Sequence, residues 1–177
     1  MKHLIIYSFS LLGLLWATGA QAQPYGRGVY GANVPYGSQT SLTIATNGNV
    51  SIPITPSDNG TLGTGSSTVS VTSTDVVGYK LYIKAEGSSN MANGPATLPA
   101  SANSSPGTLS VNTWGYNTDA SSNFVGILTA DTLIKSATGP FTTADTTAVT
   151  YGVKVDNAKP AGNYAVTVTY TAVPKTD

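Results

Sequence analysis

Short runs in which apolar and polar residues strictly alternate, each closed by glycine, proline or asparagine, constrain this chain more than any other feature. In Val149 to Asp156, Val149, Tyr151, Val153 and Val155 alternate with Thr150, Gly152, Lys154 and Asp156. In Tyr164 to Ala172, Tyr164, Val166, Val168, Tyr170 and Ala172 alternate with Ala165, Thr167, Thr169 and Thr171. A period of two sends successive side chains to opposite faces of an extended chain, so each run predicts a half-buried β-strand. The connector N-A-K-P-A-G, with Pro160 and Gly162, reads as a turn, and the two runs together predict an antiparallel hairpin.

The same period recurs upstream at Leu42 and Ile44, at Val50, Ile52 and Ile54, at Val69 and Val71, and at Tyr79, Leu81, Ile83 and Ala85, the last set opposite Lys80, Tyr82, Lys84 and Glu86. Further strands are expected over Thr108 to Thr113 and around Phe124 to Leu128. Thr, Ser, Asn and Gly are abundant, and no stretch beyond residue 22 combines helical spacing with good helix formers. The expected fold is therefore all-β: an antiparallel β-sandwich, immunoglobulin-like or jelly-roll-like, of about seven to nine strands. Pro53 cannot donate to a ladder, which puts its strand at an edge or a bulge. Gly87 to Gly107 reads as a long loop with a short extended piece at Ala96 to Leu98.

At the other end, Lys2 and His3 precede an apolar run from Leu4 to Leu15, and Ala20-Gln21-Ala22 has the small residues of a cleavage site. Residues 1–22 read as a secretory signal peptide, too short in their apolar run for the roughly 20 residues that span a bilayer. Residues 23–39 then form a Gly- and Tyr-rich extension, and 40–177 a single β-sandwich domain. No membrane span is expected after cleavage, and the location is secreted: extracellular or cell-surface, with the periplasm as an alternative.

Loss of the leader removes the chain's one histidine, and there is no cysteine anywhere. No disulfide can form, so packing must hold the fold. Of eight basic residues one is Lys2, which leaves seven against eight acidic residues, a net of −1. That balance offers no basic face for phosphates, and nucleic-acid binding is not expected.

The order of four segments resembles a known group. They are N-V-S-I-P-I-T-P at 49–56; G-T-G-S-S-T-V-S-V-T-S at 63–73 followed by G-Y-K-L at 78–81; N-T-W-G-Y at 112–116; and V-T-Y-G-V-K-V-D at 149–156 closing with P-A-G-N-Y-A-V-T-V-T-Y-T-A-V at 160–173. The set resembles a poorly characterised family of bacterial secreted, all-β surface proteins, and its final segment resembles the last strand of spore-coat-protein-U-like and related pilin-like subunits. The resemblance implies an extracytoplasmic structural or adhesive role and supplies no catalytic residues. The chain stops at Asp177 just past the last expected strand, with no apolar anchor, so a C-terminal tether is not expected.

The side chains present limit the chemistry. A Ser-His-Asp or Cys-His nucleophile needs an imidazole, and zinc or copper sites rest on His or Cys. Paired carboxylates remain conceivable, but Asp58, Asp75, Asp119 and most of the others sit among Asn, Gly, Ser or Thr, where a carboxylate caps local N–H groups. A Ca²⁺ site at D-N-G (58–60) or N-T-D (117–119) lacks EF-hand spacing. The reading is a non-enzyme with no metal and no cofactor.

Two aromatic features remain. Trp114 is the only tryptophan after the leader. An unbroken strand with Leu109 and Val111 inward would turn Trp114 and Tyr116 outward, where with Tyr82 they would form a carbohydrate-binding platform. A bulge at Gly115 would instead turn them into the core, the usual place for a lone tryptophan. In the extension, Tyr25, Tyr30 and Tyr36 either insert into a neighbouring subunit by strand addition or belong to a loosely draped terminus. The first functional expectation is thus a secreted non-enzymatic structural or adhesive surface protein, pilin-like or a surface-layer subunit, acting through protein partners or self-assembly. The alternative is a glycan-binding module.

Overall fold

Strand length governs the architecture. The computed structural model describes residues 40–175, and they contain nine strands and no helix. In chain order these are β1 (Ser41–Thr46), β2 (Thr61–Thr74), β3 (Gly78–Ala85), β4 (Met91–Asn93), β5 (Ala96–Leu98), β6 (Thr113–Asn117), β7 (Thr132–Thr138), β8 (Phe141–Val155) and β9 (Val168–Pro174). All named pairings are antiparallel. One sheet has the order β1-β2-β8-β6, a second β7-β3-β9, and β4 and β5 make a small third ribbon. The expected all-β, antiparallel fold is what the chain adopts.

Inward side chains of the two larger sheets meet in one apolar cluster. Val69 and Val71 of β2, Val149, Tyr151 and Val153 of β8 and Trp114 and Tyr116 of β6 come from the first sheet; Tyr79, Leu81, Ile83 and Ala85 of β3 come from the second. Polar links fasten the same joint. Tyr79 donates its hydroxyl to Asp145 of β8 at 2.8 Å, Lys135 of β7 bridges to the same carboxylate at 2.6 Å, and Tyr151 and Tyr170 share a hydroxyl–hydroxyl bond between β8 and β9. With no disulfide available, this cluster and these links carry the joint.

The central pair is long: β2 has 14 residues and β8 has 15, whereas β3, β7 and β9 have 8, 7 and 7. At about 3.4 Å per residue, the first sheet overhangs the second by about 20 Å. The second sheet covers the Asp75 end of β2. Two segments outside the named strands, 47–56 and 160–167, cover the Gly60 end, the second held by a bridge from Ala165 to Ala92.

Several local expectations are corrected by this arrangement. The runs at 149–156 and 164–172 are not a hairpin: β8 pairs with β2 and β6, whereas β9 pairs with β3 in the other sheet. The connector therefore crosses between sheets, which lets both runs bury their apolar sides in the same core. Val50, Ile52 and Ile54 alternate as expected but join no ladder. The span 108–112 is irregular, and 124–128 contributes only isolated bridges, Phe124 to Gly107 and Val125 to Tyr116. The short extended piece at Ala96–Leu98 is present as β5.

A candidate docking groove

A groove of about 1120 Å³ lies where the longer sheet overhangs the shorter one. Its floor is the end of the first sheet, with Trp114, Tyr151, Val153 and Val155. One wall is the segment bearing Val50, Ile52 and Ile54; the other bears Tyr164, Val166 and Val168.

Sequence explains both walls. Gly63 and Gly65 stand on the inward side of β2, in register with Ser67 and Val69, and a Cβ at either would run into Ile52 together with Ile54 or Val50. These two glycines let a second chain segment lie directly on the strand, with Ile52 and Ile54 filling the space a larger residue would take. Pro53 and Pro56 keep that segment out of a ladder. Among the described residues, no backbone hydrogen bond joins 49–56 to a neighbour.

The second wall is tied on one side only. Ala165 exchanges both backbone hydrogen bonds with Ala92, and the Thr167 carbonyl accepts from Glu86 N–H at 2.9 Å. Because alternate residues of an extended chain direct their N–H and C=O to opposite edges, Tyr164, Val166 and Val168 aim theirs away from β3 and β4, toward the groove. The groove thus joins an apolar floor to a free strand edge.

Trp114 sits inside this floor with no exposed surface, and its indole N–H donates to the Ser89 carbonyl at 2.9 Å. Tyr116 is also buried, at 5% exposure. The rings face inward without any bulge, since β6 pairs with β8 in unbroken register from Thr113 to Asn117. The strand starts later than a continuous 108–116 run would require: Asn112 adopts φ of 61° and breaks the parity inherited from Leu109 and Val111. Gly115 has a different task. On the outer face, Phe124 and the Val125 carbonyl press on Gly115 and Gly152, which face each other across β6 and β8.

Tyr82 lies on the opposite side of the molecule, half-buried on the outer face of β3 between Leu133 and Thr171. An exposed platform of Trp114, Tyr116 and Tyr82 is therefore not assembled: two rings are core and the third stands apart. Tyr25, Tyr30 and Tyr36 lie outside the described residues.

Electrostatics around the groove are quiet. Burial pushes the Tyr116, Tyr151 and Tyr170 hydroxyls above the ordinary tyrosine range, with proximity of Tyr170 adding to the first two. For Tyr170 its bond from Tyr151 works in the opposite direction. Asp58 accepts from the Asn157 side-chain amide at 2.5 Å, and Asp119 accepts from Ser121 N–H at 3.1 Å, a bond that lowers its carboxyl below the usual range. Asp119 thus holds a local backbone group as expected, whereas Asp58 is held by a residue 99 positions away and the buried Asp75 has no hydrogen-bond partner among the described residues for either carboxylate oxygen, so the local-capping expectation is corrected at Asp58 and Asp75. Among the described residues no group of three or more His, Cys, Asp or Glu is placed to hold a metal, and no helix is long and apolar enough to cross a membrane.

The groove itself was not evident from sequence. Its signal was present in the prolines at 53 and 56 beside glycines at 63 and 65, which together mark a segment laid on a sheet face rather than paired into it.

A scan against protein-family models and searches of curated proteins and of solved structures return no match to this chain.

Proposed function

We propose that this chain is a secreted, non-enzymatic structural or adhesive protein of the cell surface that works by seating an extended protein segment in the groove. The observation that carries this reading is the conjunction in one place of an apolar floor and an unpaired strand edge at Tyr164–Val168. Strand addition uses both: main-chain hydrogen bonds supply affinity, and alternate side chains filling the floor supply selectivity. The leader at 1–22, the lack of His and Cys beyond it and the near-neutral charge all fit a molecule that presents shape rather than reactivity.

Analytical ultracentrifugation of the chain from Gln23 onward, beside a variant carrying Val166→Asp, tests the reading. Association with itself or with an added extended peptide is expected for the first and not for the second. Equal behaviour of two folded proteins would overturn it. Immunogold labelling of the native cell is expected to place the protein outside the cytoplasm, on fibres or a surface coat.

A further inference from the structure

Independently of the groove, we propose that β1 pairs antiparallel with β1 of a second copy of this chain across a two-fold axis at Ile44, joining two four-stranded sheets into one. A sheet edge recruits further strands unless something blocks it, and three of the four edges here are blocked or already used. β6 receives bridges from Ala100 and Val125. β7 carries Lys135, turned inward to Asp145, and its register with β3 shifts between Leu81 and Tyr82. β9 begins at the groove wall and ends in Pro174, which has no donor to offer. β1, S-L-T-I-A-T, has no proline and no register shift, and no charged residue occurs anywhere between Arg27 and Asp58.

One bond sets the register. Asn47 N–H donates to the Thr68 carbonyl at 3.3 Å, so the hydrogen-bonded positions facing β2 are Asn47, Ala45, Thr43 and Ser41. Leu42, Ile44 and Thr46 therefore aim their N–H and C=O away from β2, and among the described residues these groups have no partner. The three positions are symmetric about Ile44. An antiparallel copy with Ile44 opposite Ile44 sets Leu42 opposite Thr46 and uses all of these groups, whereas any other register leaves some unpaired. Antiparallel pairing also keeps the inward faces of both copies on one side. Ile44 stands beside Val71 on that face yet is 39% exposed, because the sheet stops there, and the neighbour's β1 would cover it. An identical partner brings no charge to face, and a two-fold contact closes at two copies. By itself an edge of six residues buries less than the roughly 1,200 Å² of a stable interface, so it leaves the chain unpaired in dilute solution and acts where copies are already crowded side by side.

Disulfide trapping tests the contact, because the chain has no cysteine of its own. In the paired dimer the two Ile44 Cα atoms would lie about 5.5 Å apart, within disulfide span, whereas Thr43 would face Ala45 and the two Thr43 Cα atoms would lie about 7–8 Å apart, beyond it. With oxidised glutathione, the chain from Gln23 onward carrying Ile44→Cys is expected to crosslink into a dimer at least about tenfold faster than the same chain carrying Thr43→Cys. Both positions are exposed, so neither variant endangers the core. Adding Thr46→Pro to Ile44→Cys removes one outward N–H without touching the ladder to β2, and should slow trapping about tenfold while the urea midpoint holds. Equal trapping at the two positions, or none at either, would overturn the proposal. Trapping that ignores Thr46→Pro would overturn pairing of the strands. Adding Val166→Asp to Ile44→Cys separates this contact from the groove: unchanged trapping supports an edge that works without the groove, and loss of trapping in a folded protein would overturn that independence. A groove that binds no peptide in a chain that still traps at Ile44 would overturn the groove reading alone.

Discussion

The two halves of the long sheet meet different partners on the same inward face. At the Asp75 end, Val69, Val71 and Val149 are covered by Tyr79, Leu81 and Ile83, a neighbouring strand set that satisfies its own backbone groups; all six side chains are wholly buried. At the Gly60 end the floor of Trp114, Val153 and Val155 is covered by Val50, Ile52 and Ile54, which remain partly exposed on a segment with no backbone partners among the described residues. Apolar burial accumulates in both halves, but only in the first is it combined with a complete hydrogen-bond ladder. The open half retains unused apolar area and unused donors and acceptors, which is what a binding surface consists of.

The largest effect should come from the floor of the open half. Trp114→Ala removes the biggest buried side chain and its bond to Ser89, and is expected to cost about 3–5 kcal/mol in urea unfolding. Among covering residues the halves should then separate. Leu81→Ala, in the closed half, should cost about 3 kcal/mol, whereas Ile52→Ala should cost about 1 kcal/mol and act mainly on association. Equal costs for those two would erase the distinction drawn here.

Between these extremes lie the polar fasteners of the joint. Asp145→Ala removes the acceptor for both Tyr79 and Lys135 and should cost about 1–2 kcal/mol. Burial works to raise the Asp145 carboxyl, but the bonds from Lys135 and Tyr79 and the Lys135 charge outweigh it and hold the group below its usual range. A depressed carboxyl stabilises the fold above its unfolded value near about pH 4, and this contribution should vanish as pH falls through the folded value; the Asp145→Ala variant should show a shallower acid loss. Tyrosine gives the opposite sign. Tyr79, Tyr151 and Tyr170 are raised, burial first among the causes, so their contribution is intact below about pH 10 and declines as pH climbs beyond it. Tyrosinate absorbance should therefore appear together with loss of the folded circular dichroism signal, not before it.

Much of the core was legible in the sequence wherever inward and outward positions differ in hydrophobicity. Tyr79 to Ala85 and Val149 to Val155 alternate cleanly and are strands with the expected inward faces. Phe141 to Ala148 continues β8, yet its inward positions include Asp145 and Thr147, so the apolar period disappears although the strand does not. β7 was missed for a similar reason: its pattern T-L-I-K-S-A-T places Lys135 between apolar residues to reach Asp145. Pairing was less accessible still. Nothing local to Val149–Ala172 distinguishes a hairpin from a crossover, since either arrangement buries the same side chains. Trp114 turned on Asn112, whose positive φ resets the alternation at one residue.

The axis of the molecule joins distant parts of the chain: Ser66 of β2 faces Thr150 of β8, 84 residues away. Neither central strand can find its partner until everything between them has been made and brought round, so closure of that large loop precedes any gain from the ladder. Refolding should accordingly be slow for a domain of this size, in the millisecond-to-second regime of non-local β topologies. Stopping the chain before Phe141 would leave β2 without its principal neighbour and the other sheet without a floor, so shortened products are candidates for clearance by proteases rather than for function.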